Sequence, residues 1–358
     1  MIIYVLHERG AESHYRALIW GSKQYEGINV KFREFSIFRK SAKSILKMDF
    51  ELLKKQFINI AFLINLMFTS NKVVIIGIAP YDWRLMLYYS FFKKHKYYYH
   101  TSQTSWDYTN YAKRFLSEMK YSKDVWRNFI NNAIGVFCVS RKTADEITKY
   151  YNPKKISIVN HSIEKIYESN KLNNKNHKVI NCLFVGRLWQ IKGITLIFEI
   201  IKNLDPAKFN FGFVGTGEME ADVRSFIKNR SNCKYYGYLT NPLLRDIYDM
   251  NDVLLIPSLK MGDWEEFFGM VLIEGMARGV IPLATNHSGP IEIIKDKHSG
   301  YLFNEINYVK NAEIVLNNLY SNNGNLKLLQ ENAFKAGQCY KPEEIFKKWN
   351  SLLSLKYR

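Results

Sequence analysis

Four cysteines, Cys138, Cys182, Cys233 and Cys339, are all that 358 residues contain, with no C-x-x-C pair and no histidine at metal spacing. That excludes a disulfide framework and a structural zinc centre. Three of them lie in or beside apolar, strand-like runs, where a free thiol acts as a small hydrophobe, and a reducing cytosol fits. Long apolar runs are also missing. The longest, residues 57–68, is interrupted by Asn59 and Asn65 and falls short of the roughly 20 residues that a transmembrane helix needs. The opening run meets charge by residues 7–9, so it reads as a first strand and not as a secretion signal. A chain of this kind does not span a membrane, although it can lie on one. Acidic residues are scarce, 33 Asp and Glu against 51 Lys and Arg, a formal net charge of +18. Residues 1–172 hold 28 of the bases against 14 acids, so the excess sits mainly in the first half. Such asymmetry points to an anionic partner: a membrane surface, a nucleic acid or a phosphorylated acceptor. For any single lysine, a solvated surface is the better account. No recognition-helix, zinc or RNP-type pattern accompanies the charge, so a nucleic-acid reading rests on charge alone.

The length exceeds what one hydrophobic core usually serves, which predicts two domains of about 150–200 residues. Hydrophobic content is an ordinary 47%, while aromatics at 15% are high. Strands are predicted at 2–7, 30–35, 72–77, 96–99, 135–140 and 155–160, with helices at 46–68, 81–92 and 142–151 and a glycine-containing loop at 8–13 opening another helix. The 46–68 helix has too many apolar positions for a simple stripe. A well-buried core helix is favoured over a partly membrane-apposed one. Bases and aromatics interleave over 91–106, either to grip a nucleic acid or lipid headgroups, or as a strand with one buried and one exposed face. Residues 164–178 are Asn/Lys-rich and read as a linker. Beyond it strands at 179–185, 209–214, 235–238, 252–257 and 280–285 alternate with helices at 194–204, 219–229 and 243–250, and one more opens near Gly269. That alternation argues a parallel, doubly wound sheet in each half, with ligands beyond the carboxyl ends of the strands.

The chain is organised around residues 256–304. Glu266 and Glu274 are separated by seven residues, and Phe268-Gly269 stands where loop becomes helix. First-turn N–H groups have no intrahelical partner and can hold an anion, and Gly permits its close approach. Carboxylates are acceptor-only groups suited to hydroxyls. Sugar and ribose hydroxyls beside a phosphate would satisfy the whole loop. For an isolated pair of glutamates, helix-dipole complementation and solvent exposure would be the simpler reading.

Taken together, Gly10-Ala11-Glu12, Gly186-Arg187-Leu188 with Lys192-Gly193, Gly215-Thr216-Gly217, Pro257-Ser258, Glu266 to Glu274, Gly289-Pro290-Ile291-Glu292 and Ser299-Gly300-Tyr301-Leu302-Phe303 resemble the retaining glycosyltransferases of family 4. The resemblance implies the α/β GT-B architecture: two Rossmann-like, doubly wound domains facing a cleft, with an acceptor domain over 1–170, a donor domain over 171–340 and a helix over 341–358 crossing back to the first. It implies a cytoplasmic hexosyltransferase that uses a UDP- or GDP-linked sugar; the charge asymmetry adds the expectation that the basic first half can hold it at an anionic inner membrane face. The acceptor would be a glycan or polyprenyl-diphosphate-linked saccharide in capsule, O-antigen or exopolysaccharide synthesis, with no metal or other cofactor and no nucleic acid. Carried over, Arg187 and Lys192 bind the diphosphate, Glu274 the ribose, and Glu266 the sugar beside the Phe268 and Gly269 amides. Gly10 and Gly215 allow close approach, Tyr238 borders the base, and His100 lies near the reacting sugar. Phe267 before Phe268-Gly269, Asn160-His161 in place of a glycine turn, and Arg9-Gly10 in place of paired glycines depart from the family pattern. The rival readings are a catalytically silent scaffold subunit and a nucleic-acid-binding protein.

Overall fold

The computed structural model describes residues 1–7, 12–35, 37, 40–41, 46–106, 120–172, 178–262 and 264–355. Among the described residues, twelve strands form two six-stranded sheets. The first takes β1 (Ile2–His7), β2 (Asn29–Glu34), β3 (Val73–Gly77), β4 (Lys96–Thr101), β5 (Val136–Cys138) and β6 (Ile156–Ile158) in the order 2-1-3-4-5-6. The second takes β7 (Ile180–Val185), β8 (Phe209–Val214), β9 (Cys233–Gly237), β10 (Val253–Ile256), β11 (Ile281–Thr285) and β12 (Tyr301–Phe303) in the order 12-11-10-7-8-9. Every pairing is parallel, with registers such as Val5 to Ile75 and Val253 to Ile281. Runs such as Val-Val-Ile-Ile-Gly in β3 are buried almost throughout, as a parallel sheet covered on both faces requires. Both halves are therefore α/β and doubly wound.

The covering helices are α1 (Arg16–Gln24), α2 (Phe50–Phe68), α3 (Arg84–Phe92), α4 (Lys120–Asn132) and α5 (Arg141–Tyr150) on the first sheet. On the second they are α6 (Ile194–Asn203), α7 (Glu220–Ile227), α8 (Asn241–Met250), α9 (Met270–Met276), α10 (Ser288–Ile293), α11 (Tyr308–Ser321) and α12 (Asn323–Gln338). The chain divides into two compact units, Met1–Ser162 with Pro342–Arg358, and Ile163–Lys341. The last helix, α13 (Pro342–Leu353), belongs to the first unit because it packs there. Phe346 lies against Gly21 of α1 and stacks on Tyr25 at 5.4 Å, and Trp349 meets Phe137 at 4.4 Å.

Three expectations change. The β4 aromatics form no exposed face: Tyr97, Tyr98 and Tyr99 are all buried, because a central strand is covered on both sides. The α2 helix is a core helix on one side only: Phe62, Leu63 and Leu66 are buried in the core, while the opposite side is bare. The polar stretch from residue 164 is not a free linker over its described part. Tyr167 is fully buried, its hydroxyl donates to Asn241 Oδ1, and the Asn241 amide donates to Glu164 Oε2 at 2.6 Å.

Candidate active site

In the second sheet the chain winds β7-β8-β9 to one side, then returns to β10-β11-β12 on the other, so the order reverses between β7 and β10. In a parallel sheet the residues that follow every strand emerge on one edge, and the reversal opens a crevice there. Arg187 and Lys192 follow β7, Gly215 follows β8, Tyr238 follows β9, Ser258 and Glu266 follow β10, and His287 follows β11. The topology alone gathers them.

The glycines let the turns touch. Gly215 stands at φ +130, and a Cβ on it would lie 1.8 Å from the Gly186 carbonyl oxygen. Gly193, the left-handed cap between the short turn Gln190–Lys192 and α6, has φ +69, and a Cβ there would lie 1.9 Å from the Pro257 oxygen. This backbone contact, with the Leu259 N–H donating to Ile191 O at 2.8 Å, brings Lys192 to the acidic loop. Lys192 Nζ donates to Glu266 Oε2 at 2.6 Å, and the Ser258 hydroxyl donates to the same oxygen at 3.3 Å. The two side chains are only 15% and 16% exposed. Trp264 lies 4.7 Å beneath the ammonium, while the exposed Arg187 guanidinium sits 3.9 Å over Trp189.

The loop carrying Glu266 is held from behind by a residue that the sequence reading missed. His287, buried after β11, accepts at Nδ1 from the Glu266 N–H at 3.1 Å. Its Nε2 therefore carries the proton and donates to Glu305 Oε1 at 2.7 Å. Glu305 also accepts from the Lys260 N–H. The Ser288 and Gly289 N–H groups donate to Glu265 Oε2 and Glu266 O. The signal available was His287 two residues before the Gly289-Pro290 pair, but its partner, Glu305, is distant in sequence.

The other predicted residues fall at different depths. Phe268 is buried against Tyr340, Gly269 caps α9 at φ +95, and Tyr238 is exposed at the sheet edge. Glu274 is buried on α9 beside the hydroxyl of Tyr248, whose phenol is held protonated by burial first and by the Glu274 charge second. His100 lies in the first unit, at the end of β4, and is not among these groups. Its Nδ1 meets the Tyr15 hydroxyl at 3.0 Å, and its ring lies 5.2 Å from Trp349. Burial, then the neighbouring His161, His14 and His7, hold it neutral. His161, in the turn that departs from the family pattern, is buried beside it, while Asn160 donates to Val139 O. Gly10 and Arg9 lie outside the described residues.

Two parallel sheets, each reversing its strand order, define the GT-B class. In keeping with that, the chain superposes on Anabaena Alr3699/HepE in complex with UDP with a TM-score of 0.71, at 14% identity, over 99% of this chain and 100% of that one. It superposes on the sucrose-phosphate synthase of Thermosynechococcus elongatus with a TM-score of 0.69, at 13% identity, over 99% and 98%. Residues 164–336, nearly the whole second unit, match the family of glycosyl transferases group 1. The chain is 35% identical over 153 residues to an uncharacterized protein in the cps region of Klebsiella pneumoniae, covering 43% of this chain and 40% of that one. It is 28% identical over 198 residues to the amylovoran biosynthesis glycosyltransferase AmsK of Erwinia amylovora, covering 53% and 48%. The matches span about half the length of these relatives or less.

Proposed function

We propose that this protein is a retaining glycosyltransferase. It moves a hexose-type sugar from a UDP- or GDP-linked donor to a glycan or polyprenyl-diphosphate-linked acceptor in bacterial surface polysaccharide synthesis. The observation that carries the reading is the 2.6 Å contact of Lys192 with Glu266 at the strand-order reversal. There a cation for a departing diphosphate stands beside an acceptor for sugar hydroxyls. The bond from C1 to the diphosphate oxygen breaks with its electron pair on that oxygen. The acceptor hydroxyl bonds to C1 on the same face, and its proton passes to the departing phosphate.

Charge grows on the diphosphate, and fixed positive groups aimed at it lower the barrier most. Arg187 offers a fork and Lys192 a point charge, so no metal is needed for this step, and chelation with EDTA should leave turnover intact. Glu266, with the Phe268 and Gly269 amides, takes the sugar hydroxyls, and Glu274 takes the ribose. Gly215 lets the nucleotide approach, and Tyr238 borders the base. Gly10 keeps the role that the resemblance implies, and His100 acts as a neutral hydrogen-bonding group. The Anabaena structures that hold UDP and UDP-glucose, and relatives in the cps region and in amylovoran biosynthesis, support the donor class and the pathway type. Four free cysteines, two of them buried, support a reducing, cytoplasmic site.

A thermal-shift and hydrolysis screen with UDP-, GDP-, ADP- and dTDP-sugars tests this, with Lys192→Ala and Glu274→Ala alongside. One nucleotide should stabilise the wild type, and both variants should lose the effect. The anomeric configuration of the product, read by NMR, should match the donor. If no nucleotide shifts the wild type, the donor site is wrong and a silent scaffold accounts better for the fold.

A further inference from the structure

The α2 helix of the first unit is apolar on both sides: Phe62, Leu63 and Leu66 are buried in the core, and an outward row of large apolar side chains is bare. Its inward side begins with Gln56 and Asn59, 1% and 2% exposed, while Phe50, Phe57 and Phe68 on the outward side are 72%, 63% and 81% exposed. Phe50, Phe57, Ile64 and Phe68 fall at i, i+7, i+14 and i+18, along one line of the helix. Exposed Ile58, Ile60 and Met67 widen that line, and exposed Leu46 and Met48 continue it beyond the N-terminus. A groove lined by Phe50, Leu53, Lys54, Phe57, Ile58 and Ala61 runs beside it. Helices on a protein surface normally turn such residues inward, and contiguous bare apolar patches mark interaction sites.

The orientation is locked by polar contacts. Asn59 Oδ1 accepts from the Glu34 N–H at 3.3 Å, and its amide donates to Gln56 Oε1 at 3.4 Å. The buried Glu34 carboxylate takes Lys40 and, on the helix itself, Lys55 at 2.8 Å. Rolling the helix over would strip all of these bonds.

The surrounding charge selects the partner. Exposed Lys47 and Lys54 lie in and before the helix, and exposed Lys93 and Lys94 beside it, with Lys94 Nζ donating to Met67 O at 3.1 Å. Against them stand Asp49, which caps the helix, and Glu51. A second copy of the chain would bring the same cationic excess; an anionic bilayer complements it. The 19 residues of α2, and every other described helix, are too short or too polar to cross a membrane. We propose that α2 lies flat in the surface of an anionic phospholipid bilayer. Phe50, Phe57, Ile64 and Phe68 sit among the upper acyl chains, and Lys47, Lys54, Lys93 and Lys94 among the headgroups.

Sedimentation of the full chain with phosphatidylglycerol-containing and with pure phosphatidylcholine vesicles tests this, with nucleotide binding followed separately. The wild type should bind the anionic vesicles, and binding should fall by about tenfold or more in a Phe57→Ser, Ile64→Ser, Phe68→Ser variant. Lys54→Gln with Lys94→Gln should weaken binding to anionic vesicles and make its loss with salt shallower. Unchanged circular dichroism and nucleotide response in both variants would exclude misfolding. Failure of the wild type to sediment overturns the proposal, as does equal binding by the serine variant. So does a concentration-dependent dimer that the serine variant dissolves without any vesicle binding, which would assign the face to a second copy.

Discussion

At the scale of single residues, the candidate site depends on contacts that leave no room for change. Gly193 combines a left-handed backbone with a Cβ position 1.9 Å from the Pro257 carbonyl. That neighbour is backbone and cannot swing away. Gly193→Ala should therefore destabilise the protein by about 2–4 kcal/mol in urea unfolding, and it should move Lys192 off Glu266. His287 acts one step behind. Its ring bonds the Glu266 N–H and Glu305, so His287→Ala leaves a part-buried N–H and a carboxylate without that partner. An unmade bond of this kind costs about 1–3 kcal/mol. We expect donor affinity, measured by nucleotide titration, to fall about tenfold while the fold survives. Lys192→Ala should differ in kind: the nucleotide response is lost outright, because the cation itself is gone.

At the scale of elements, α2 supplies a prediction with opposite outcomes on its two sides. Asn59→Leu puts a larger apolar group on the inward side yet leaves the Glu34 N–H unpaired, and it should cost about 1–3 kcal/mol. Phe57→Ser removes a large apolar group from the exposed side and should stay within about 0.5 kcal/mol of the wild type. Chemical denaturation of the two variants reads the contrast directly, and the reverse order would mean that the helix buries its phenylalanines. This element also marks the limit of what the chain reveals on its own. The strands, the alternation and the glycine turns were legible because periodicity and φ > 0 requirements are local. The side on which α2 is buried was not, since apolar residues stand on both sides, and the inward choice rests on Phe62, Leu63 and Leu66 in the core and on Asn59 meeting the N–H of Glu34, a distant residue on β2. In β4, the three tyrosines read equally as a two-faced strand, and only its central position in the sheet buries them all. The Lys192 contact to Glu266 became visible when the strand order brought the ends of β7 and β10 side by side.

At the scale of the whole molecule, charge and burial act together through pH. His14, His100 and His161 lie close in the first unit, with ring centroids 4.6 Å apart for His14 and His161 and 6.4 Å for His100 and His161. Burial first, then the neighbouring histidines and Arg16, lowers the pKa of each, His161 down to about 3. The folded protein keeps His100 and His161 neutral and disfavours the charge on His14, while the unfolded chain protonates all three below about 6.5. Unfolded chains then bind more protons, so stability rises with pH in this range. The contribution is complete above about pH 6.5 and is lost as pH falls, at up to about 1.4 kcal/mol per pH unit for each fully neutral ring. A second effect has the same sign, since every added proton raises a net charge that already stands at +18 and increases self-repulsion. Salt separates the two. Repulsion between exposed charges fades within about 10 Å at 0.1 M, whereas the cost of charging a buried imidazole does not. The unfolding free energy measured from pH 7 to 5 should therefore fall steeply at both low and high salt, with only the low-salt excess screened. His161→Asn should flatten the slope by about 1.4 kcal/mol per pH unit, whatever it does to stability at pH 7. A slope that vanishes in high salt would assign the whole effect to surface charge and remove the buried histidines from it.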